Sequence, residues 1–409
     1  MTSSTEHVVR AQDVIAREAQ YVVQVYRRAP IVITHGRGVY LYDAEGREYL
    51  DLISGVGVAS LGHAHPELAR IVSDQAATLL HSSNLFYHPF QGPLAERLTA
   101  LAGLDRVFFC NSGAEAVEAC LKFARRYWFT GGERQRTGLV AFHGAFHGRT
   151  VGSLSVTGDP HYRDPFAPLL ADVTFVAQDD ADAVTRAITE RTGAVVLEGI
   201  QGEGGVRPLA PRVARAVQDA CDRTGALLVC DEVQCGLGRT GRAFYFKELG
   251  LRPALVAVGK ALGAGIPIGA AIAGAAVADR LSPGDHGSTY GGNLLACRAG
   301  IFFVDQLTDG GLMAHVAGAG AHLGARLREL AAAHPFVTDV RGEGLIWGLE
   351  LERPAAAGVD AARARGLLVN ATAKTVVRLL PPLVITEAEI DRGVDLLAGA
   401  MADVAGARP

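Results

Sequence analysis

Seven short apolar runs, each broken off before a stretch of different character, set the strongest limit on how this chain can fold. They occupy residues 106–110 (RVFFC), 138–142 (GLVAF), 173–176, 194–197 (AVVL), 226–230 (ALLVC), 255–258 and 270–273. Each is too short for a helix of ordinary length, and continuous apolarity is the mark of a strand buried on both faces. Residues 114–128 and 211–223 lie between such runs and carry helical spacing. Alternation of this kind predicts an α/β fold with a mostly parallel sheet covered by helices on both faces. Ligands in such sheets bind beyond the carboxyl ends of the strands, so chemistry belongs just after these runs.

The ends of the chain read differently. Residues 30–53 carry GVYLYD and REYLDLI around Ala44-Glu45-Gly46, a hairpin pattern. From about residue 305, Ala/Leu/Arg-rich helical stretches alternate with short strands near 344–351 and 375–380. The expected division is an N-terminal segment (1–64) that packs with a smaller α+β C-terminal domain (305–409), and a large domain between them (65–304).

Composition removes several classes of function. A net charge of −4 and a pI near 6.4 give no basic footprint for nucleic acid. The most membrane-like stretch, residues 263–278, is interrupted by Gly and Pro and falls short of the ~20 residues a spanning helix needs. MTSSTEHVVRAQ at the start has no apolar segment of the secretory kind. Six cysteines without a C-x-x-C pair, four of them inside apolar runs, form no disulfide framework. A cytoplasmic protein with no membrane and no nucleic-acid partner is expected.

Four places could carry chemistry. In CNSGAEAVEACLKFARRYW (110–128) a strand ends, Ser112 and Glu115 have capping-box spacing, and a helix begins. That is either a well-capped helix or a seat for a phosphate, which free N–H groups and the helix dipole attract. Lys260 closes the apolar run ALVAVGK; such a lysine either snorkels to solvent or is a desolvated nucleophile. A P-loop fails there, because Ala254 and Ala261 stand where Gly and Ser/Thr are required. Asp231 follows ALLVC at a strand end and has no clustered ligands for a metal. His143 and His147 are interrupted by glycines that break the helix needed for shared ligation, so no metal is expected. Finally, GLGRTG (236–241) fits G-x-G-x-x-G, but RAFYFKELG follows it instead of a helix, and Glu248 comes too soon to be the ribose acid. A phosphate seat, a strand-end aspartate and a later strand-end lysine, in that order, are what pyridoxal 5′-phosphate needs.

With FFCNSGAEA (108–116), AFHGRT (145–150), IQGEGGV (200–206), DEVQCGLGRTG (231–241), GSTYGGN (287–293) and VVRLLPPLVI (376–385), the chain resembles the class III (ω-amino-acid) aminotransferases of the fold-type I pyridoxal-phosphate enzymes. Within that family it is most similar to the acetylornithine aminotransferases, from about residue 20 to 395. The resemblance implies that Ser112, Gly113 and Ala114 seat the phosphate and that Phe146 stacks on the cofactor ring. It implies that Asp231 partners the pyridine nitrogen, Gln234 lies near the phenolic oxygen, and Lys260 is the catalytic Schiff-base lysine. Ser288 and Thr289 resemble a phosphate contact delivered by a second subunit, which implies a homodimer with shared active sites.

Arg149 and Arg378 resemble the family's two carboxylate anchors, a role that suits the forked guanidinium. Glu203 matches the acid that neutralises the equivalent of Arg378 while a donor with a single carboxylate is bound. Val56 stands where ornithine aminotransferases carry Tyr, a change that favours a donor whose α-amine is acylated. The implied reaction moves the δ-amino group of N2-acetyl-L-ornithine to 2-oxoglutarate, a step of arginine biosynthesis. Carrier-bound lysine, ornithine and 4-aminobutyrate are the alternative donors, and an aminomutase reaction is a further one. Gly199, Gly259 and Leu294 depart from the family's usual Pro, Ala and Pro.

Overall fold

The computed structural model describes residues 10–405; the stretch 1–9, which includes most of the segment read as lacking a secretory leader, lies outside them, as does 406–409. At the centre is a seven-stranded sheet. Its strands run across the sheet in the order Arg106–Cys110, Gly269–Ala273, Leu255–Val258, Leu227–Asp231, Thr192–Glu198, Gly138–Phe142 and Val173–Val176. Every neighbouring pair is parallel except the two made by Gly269–Ala273, which runs against both of its neighbours.

The reason for the continuous apolar runs is visible in the packing. Alternate residues of one strand enter two different cores: Leu228 and Cys230 face one, Leu227 and Val229 the other. Val256 and Val258 likewise separate from Leu255 and Ala257. A strand covered on both faces has no position for a polar side chain until it ends, and burial of each large apolar side chain stabilises by about 1.5–3 kcal/mol. Helix Gly113–Thr130 covers one face with Ala116, Val117, Cys120, Leu121 and Ala124. Helix Pro211–Thr224 covers the other with Val213, Ala214, Val217 and Cys221. Residues 263–278 contain the buried strand Gly269–Ala273, preceded by a loop and followed by the short helix Ala275–Ala278 where a second loop is expected.

Both ends of the chain meet in the remaining sheets. Ile33–Arg37, Tyr40–Asp43 and Glu48–Asp51 form an antiparallel set, and Leu367–Leu368 joins its edge in parallel. A second four-stranded sheet is built from Val337–Glu343, Ile346–Leu351, Val376–Leu379 and Asn370–Thr372. Leu380 N donates to Leu52 O at 2.7 Å and Leu383 N to Ser60 O at 2.8 Å, which ties the N-terminal strands to the C-terminal ones. Helices Leu312–Ala333 and Glu387–Ala405 pack beside them.

Candidate active site

The site lies where three features of the central sheet converge. Leu227–Asp231 ends on Asp231, Leu255–Val258 is followed by Gly259 and Lys260, and Arg106–Cys110 is followed by the start of helix Gly113–Thr130. Close backbone approach holds the three together. A Cβ on Gly113 would fall 2.5 Å from Val233 Cγ1, and one on Gly259 would fall 3.0 Å from the Cα and N of Gly113. Val233 therefore wedges the acid-bearing loop against the helix start, and the lysine-bearing strand end abuts the same spot. Gly259 is the residue this tight approach favours.

Each side chain has a specific setting. Ser112 is the N-cap, its Oγ accepting from Glu115 N at 3.2 Å, and the amides of Gly113 and Ala114 have no acceptor among the described residues. Lys260 adopts φ +38°, a left-handed conformation that non-glycine residues take up only under constraint. Burial lowers its proton affinity, the nearby Arg378 lowers it further, and Glu203, Asp231 and Glu198 oppose them. Asp231 Oδ2 lies 2.7 Å from His147 Nδ1. Burial alone would depress His147, but the hydrogen bond and charge of Asp231 prevail and raise it. His147 Nε2 is buried without a partner among the described residues.

Phe146 borders a cleft of about 990 Å³ that is also lined by Tyr162, Glu203, Thr372 and Lys374. Arg378, 1% exposed, donates from Nη1 to Glu203 Oε1 at 2.6 Å and to Gln234 Oε1 at 3.3 Å, and from Nε to Asn370 Oδ1. Arg149 is exposed; its guanidinium lies 3.8 Å from the centre of the Tyr162 ring and forms no ion pair among the described residues. One arginine is thus capped by a carboxylate and the other is not. Val56 belongs to a left-handed turn at Ser54–Gly57 and packs beside Ile200, Cys235, Tyr245 and Leu380. Ser288 Oγ accepts from Asn111 Nδ2 at 3.2 Å within the same chain, whereas the adjacent Thr289 is exposed and makes no side-chain hydrogen bond.

Asp231, Lys260 and the helix start are brought together, and Glu203, Arg378 and Gln234 form a second group. Sequence reasoning missed His147, Glu198 and Asn370. His147 had been weighed only as a metal ligand, and Glu198 ends a strand as Asp231 does, which was its available signal. Glu232 turns away from the site: its carboxylate accepts from the amides of Tyr245 and Phe246 at 3.0 and 2.7 Å. The glycines of GLGRTG shape a loop, with Gly238 and Gly241 at positive φ, and no helix opens there.

Residues 21–401 match the family model described as aminotransferase class-III. The chain belongs to the class-III aminotransferases. Two of its relatives are the acetylornithine aminotransferases of Aquifex aeolicus and Methanocaldococcus jannaschii. The first is 44% identical over 92% of this chain and 98% of its own, the second 42% over 93% and 96%. The ornithine aminotransferase of Toxoplasma gondii, described with partial occupancy of PLP at its active site, superposes with a TM-score of 0.92. It is 32% identical, over 97% of this chain and 95% of that one.

Like other class-III aminotransferases this enzyme uses pyridoxal 5′-phosphate, and the residues present fit that group. The unpartnered amides at the helix start suit a phosphate, and a lysine whose proton affinity burial lowers suits an aldehyde carbon. Gly199 and Leu294 also have local reasons. A Cβ at Gly199 would lie 2.7 Å from Tyr245 Cδ1, so a bulkier residue there would displace that ring. Leu294 is the first helical residue after the N-cap Asn293, a position that Pro favours but does not require.

Proposed function

We propose that the chain is an acetylornithine aminotransferase, moving the δ-amino group of N2-acetyl-L-ornithine to 2-oxoglutarate to give N-acetyl-L-glutamate 5-semialdehyde and L-glutamate. The observation that carries this reading is the unequal pair of arginines. Arg378 is neutralised by Glu203 while Arg149 is left open, which matches a donor with one carboxylate. When Glu203 moves aside, both arginines are available to the two carboxylates of 2-oxoglutarate. Val56 gives the donor's α-substituent an apolar wall, which disfavours a charged α-amine and accepts an acylated one.

When bound, the cofactor supplies an electron sink for the charge left on the donor's δ-carbon as its proton departs. The chain's own residues do the rest. Gly113 and Ala114 would offer amides to the phosphate, and Phe146 would cover the ring. Asp231, oriented by His147, would keep a proton on the ring nitrogen. Gln234 would serve the phenolic oxygen. Lys260 Nζ, its proton affinity lowered by burial, takes the proton from the δ-carbon and returns it on the other side of the exchange. The enzyme is proposed to act in the cytoplasm, in arginine biosynthesis, as a homodimer in which Ser288 and Thr289 reach the partner's phosphate seat. Its six cysteines are all buried free thiols, which suits a reducing compartment. None of the described helices is long and apolar enough to cross a membrane.

The test is a panel of amine donors at saturating 2-oxoglutarate: acetylornithine, ornithine, 4-aminobutyrate and carrier-linked lysine, with glutamate production as the readout and Lys260→Ala as the blank. Acetylornithine should give the highest kcat/KM. Ornithine at an equal or higher value would remove the Val56 argument, and turnover without 2-oxoglutarate would point to an aminomutase.

A further inference from the structure

Glu198 is the last residue of Thr192–Glu198, stands in register with Asp231 on the neighbouring strand, and is 7% exposed. Its two oxygens serve different loops: Oε2 accepts from Phe146 N at 3.0 Å, and Oε1 accepts from Gly202 N at 3.3 Å. The first loop carries the ring-covering Phe146. The second carries Glu203, the cap on Arg378. The same two loops are laced again where Gln201 Nε2 donates to His143 O at 3.0 Å and where Gly204 packs against Gly144 O. Beyond Glu203, its carbonyl accepts from Thr372 Oγ1.

We propose that Glu198 is a positioning residue that fixes the pivot of Glu203 and couples it to the Phe146 loop. With Gly202 N held on one side and Glu203 O on the other, the backbone of Glu203 is clamped at both ends. The exchange of Glu203 for a substrate carboxylate on Arg378 is then a rotation of one side chain rather than a movement of the loop. A carboxylate is required because both anchors are N–H donors: an amide at 198 has only one accepting oxygen and turns a second donor toward the other anchor. Proximity to Asp231 is the cost of this arrangement, and burial beside that acid pushes Glu198 up to about 7.

The test uses Glu198→Gln and, as the conservative partner, Glu198→Asp, which keeps two accepting oxygens on a shorter stem. Hydrogen exchange of the full chain is followed with and without cofactor over 143–149 and 200–206. Exchange should quicken about 10-fold in both segments together in Glu198→Gln, and less in Glu198→Asp. In single-turnover half-reactions, Glu198→Gln should raise the apparent KM for the monocarboxylate donor about 10-fold and change that for glutamate by less than about 3-fold. Unchanged protection in both segments, or loss confined to one, would overturn the coupling. Equal slowing of the two half-reactions would overturn the pivot. Should Glu198→Gln fail to fold, the same outcomes are read in Glu198→Asp at smaller amplitude. The kinetic arm rests on the donor and acceptor proposed above, whereas the exchange arm needs no substrate, so failure of one reading is separable from failure of the other.

Discussion

Asp231 and Glu232 are adjacent acids at one strand end, and the fold sends them in opposite directions. Asp231 faces His147; Glu232 is 1% exposed and holds the turn that begins at Tyr245. Burial pushes the Glu232 carboxyl from 4.5 to about 7, against the pull of the Tyr245 and Phe246 amides and of Cys235. A carboxyl raised in the folded state stabilises the fold while it is protonated and loses that contribution as pH rises, here from about 4.5 to about 7. The loss is about 3 kcal/mol over that window. Glu232→Gln cannot titrate, so its stability deficit relative to the parent should shrink by about that amount as pH rises. Urea unfolding of both apoproteins across the window measures it, and a deficit constant with pH would show that Glu232 is ionised throughout.

Elements were more legible than their contacts. The apolar runs at 106–110, 138–142, 173–176 and 255–258 coincide with strands, because a strand between two cores has no polar position to blur its edges. The same rule pointed to Asp231 and Lys260, which stand where their apolar runs stop and whose strand ends meet the start of helix Gly113–Thr130. The partners were not readable: His147 meets Asp231 across 84 positions of sequence. The left-handed turn at Ser54–Gly57 was equally hidden, because local preference opposes it at Ser54 and Val56. A distant bond, from Ser54 Oγ to Leu380 O, holds it together with two local ones, from the amides of Ile53 and Ser54 to Asp51 Oδ1. Helix Leu312–Ala333 offers a direct test of element packing through two glycines two residues apart. Gly318 is exposed with nothing near its missing Cβ, so Gly318→Ala should stabilise by about 0.5–1 kcal/mol through helix propensity alone. A Cβ on Gly320 would lie 2.4 Å from Gly344 O, a backbone atom that cannot step aside. Gly320→Ala should therefore destabilise by about 1–3 kcal/mol despite the same gain in propensity. Denaturant midpoints of the two variants should move in opposite directions, and movement in the same direction would mean that the helix is free of that turn.

At the scale of the whole molecule, the described chain leaves one end of its site facing an apolar surface. Leu85, Phe86 and Tyr87 are 85%, 68% and 107% exposed, and Tyr290 is 63% exposed. The two segments that carry them are joined by Asn84 Nδ2, which donates to Ser288 O and Gly291 O, and by His88, whose Nε2 lies 2.7 Å from Gly292 O. A concentration of large exposed apolar side chains on a globular protein marks a surface that another protein covers. Ser288, bonded to Asn111, connects this surface to the proposed phosphate seat at Ser112. A twofold contact made here would bury the aromatic residues and bring Thr289, which has no side-chain partner of its own, beside the neighbouring subunit's helix start. Sedimentation of the parent chain at micromolar concentration should accordingly give a dimer. Placing two carboxylates in the contact, as Phe86→Asp with Tyr87→Asp, should give monomers, because each isologous contact would then hold four unpaired charges. These monomers should keep the parent's far-ultraviolet circular dichroism and release the cofactor more readily, since each phosphate seat would lose its contact from the other subunit. A parent chain that sediments as a monomer would refute the shared site, and a monomeric variant that retains cofactor as tightly as the parent would confine the contact to assembly alone.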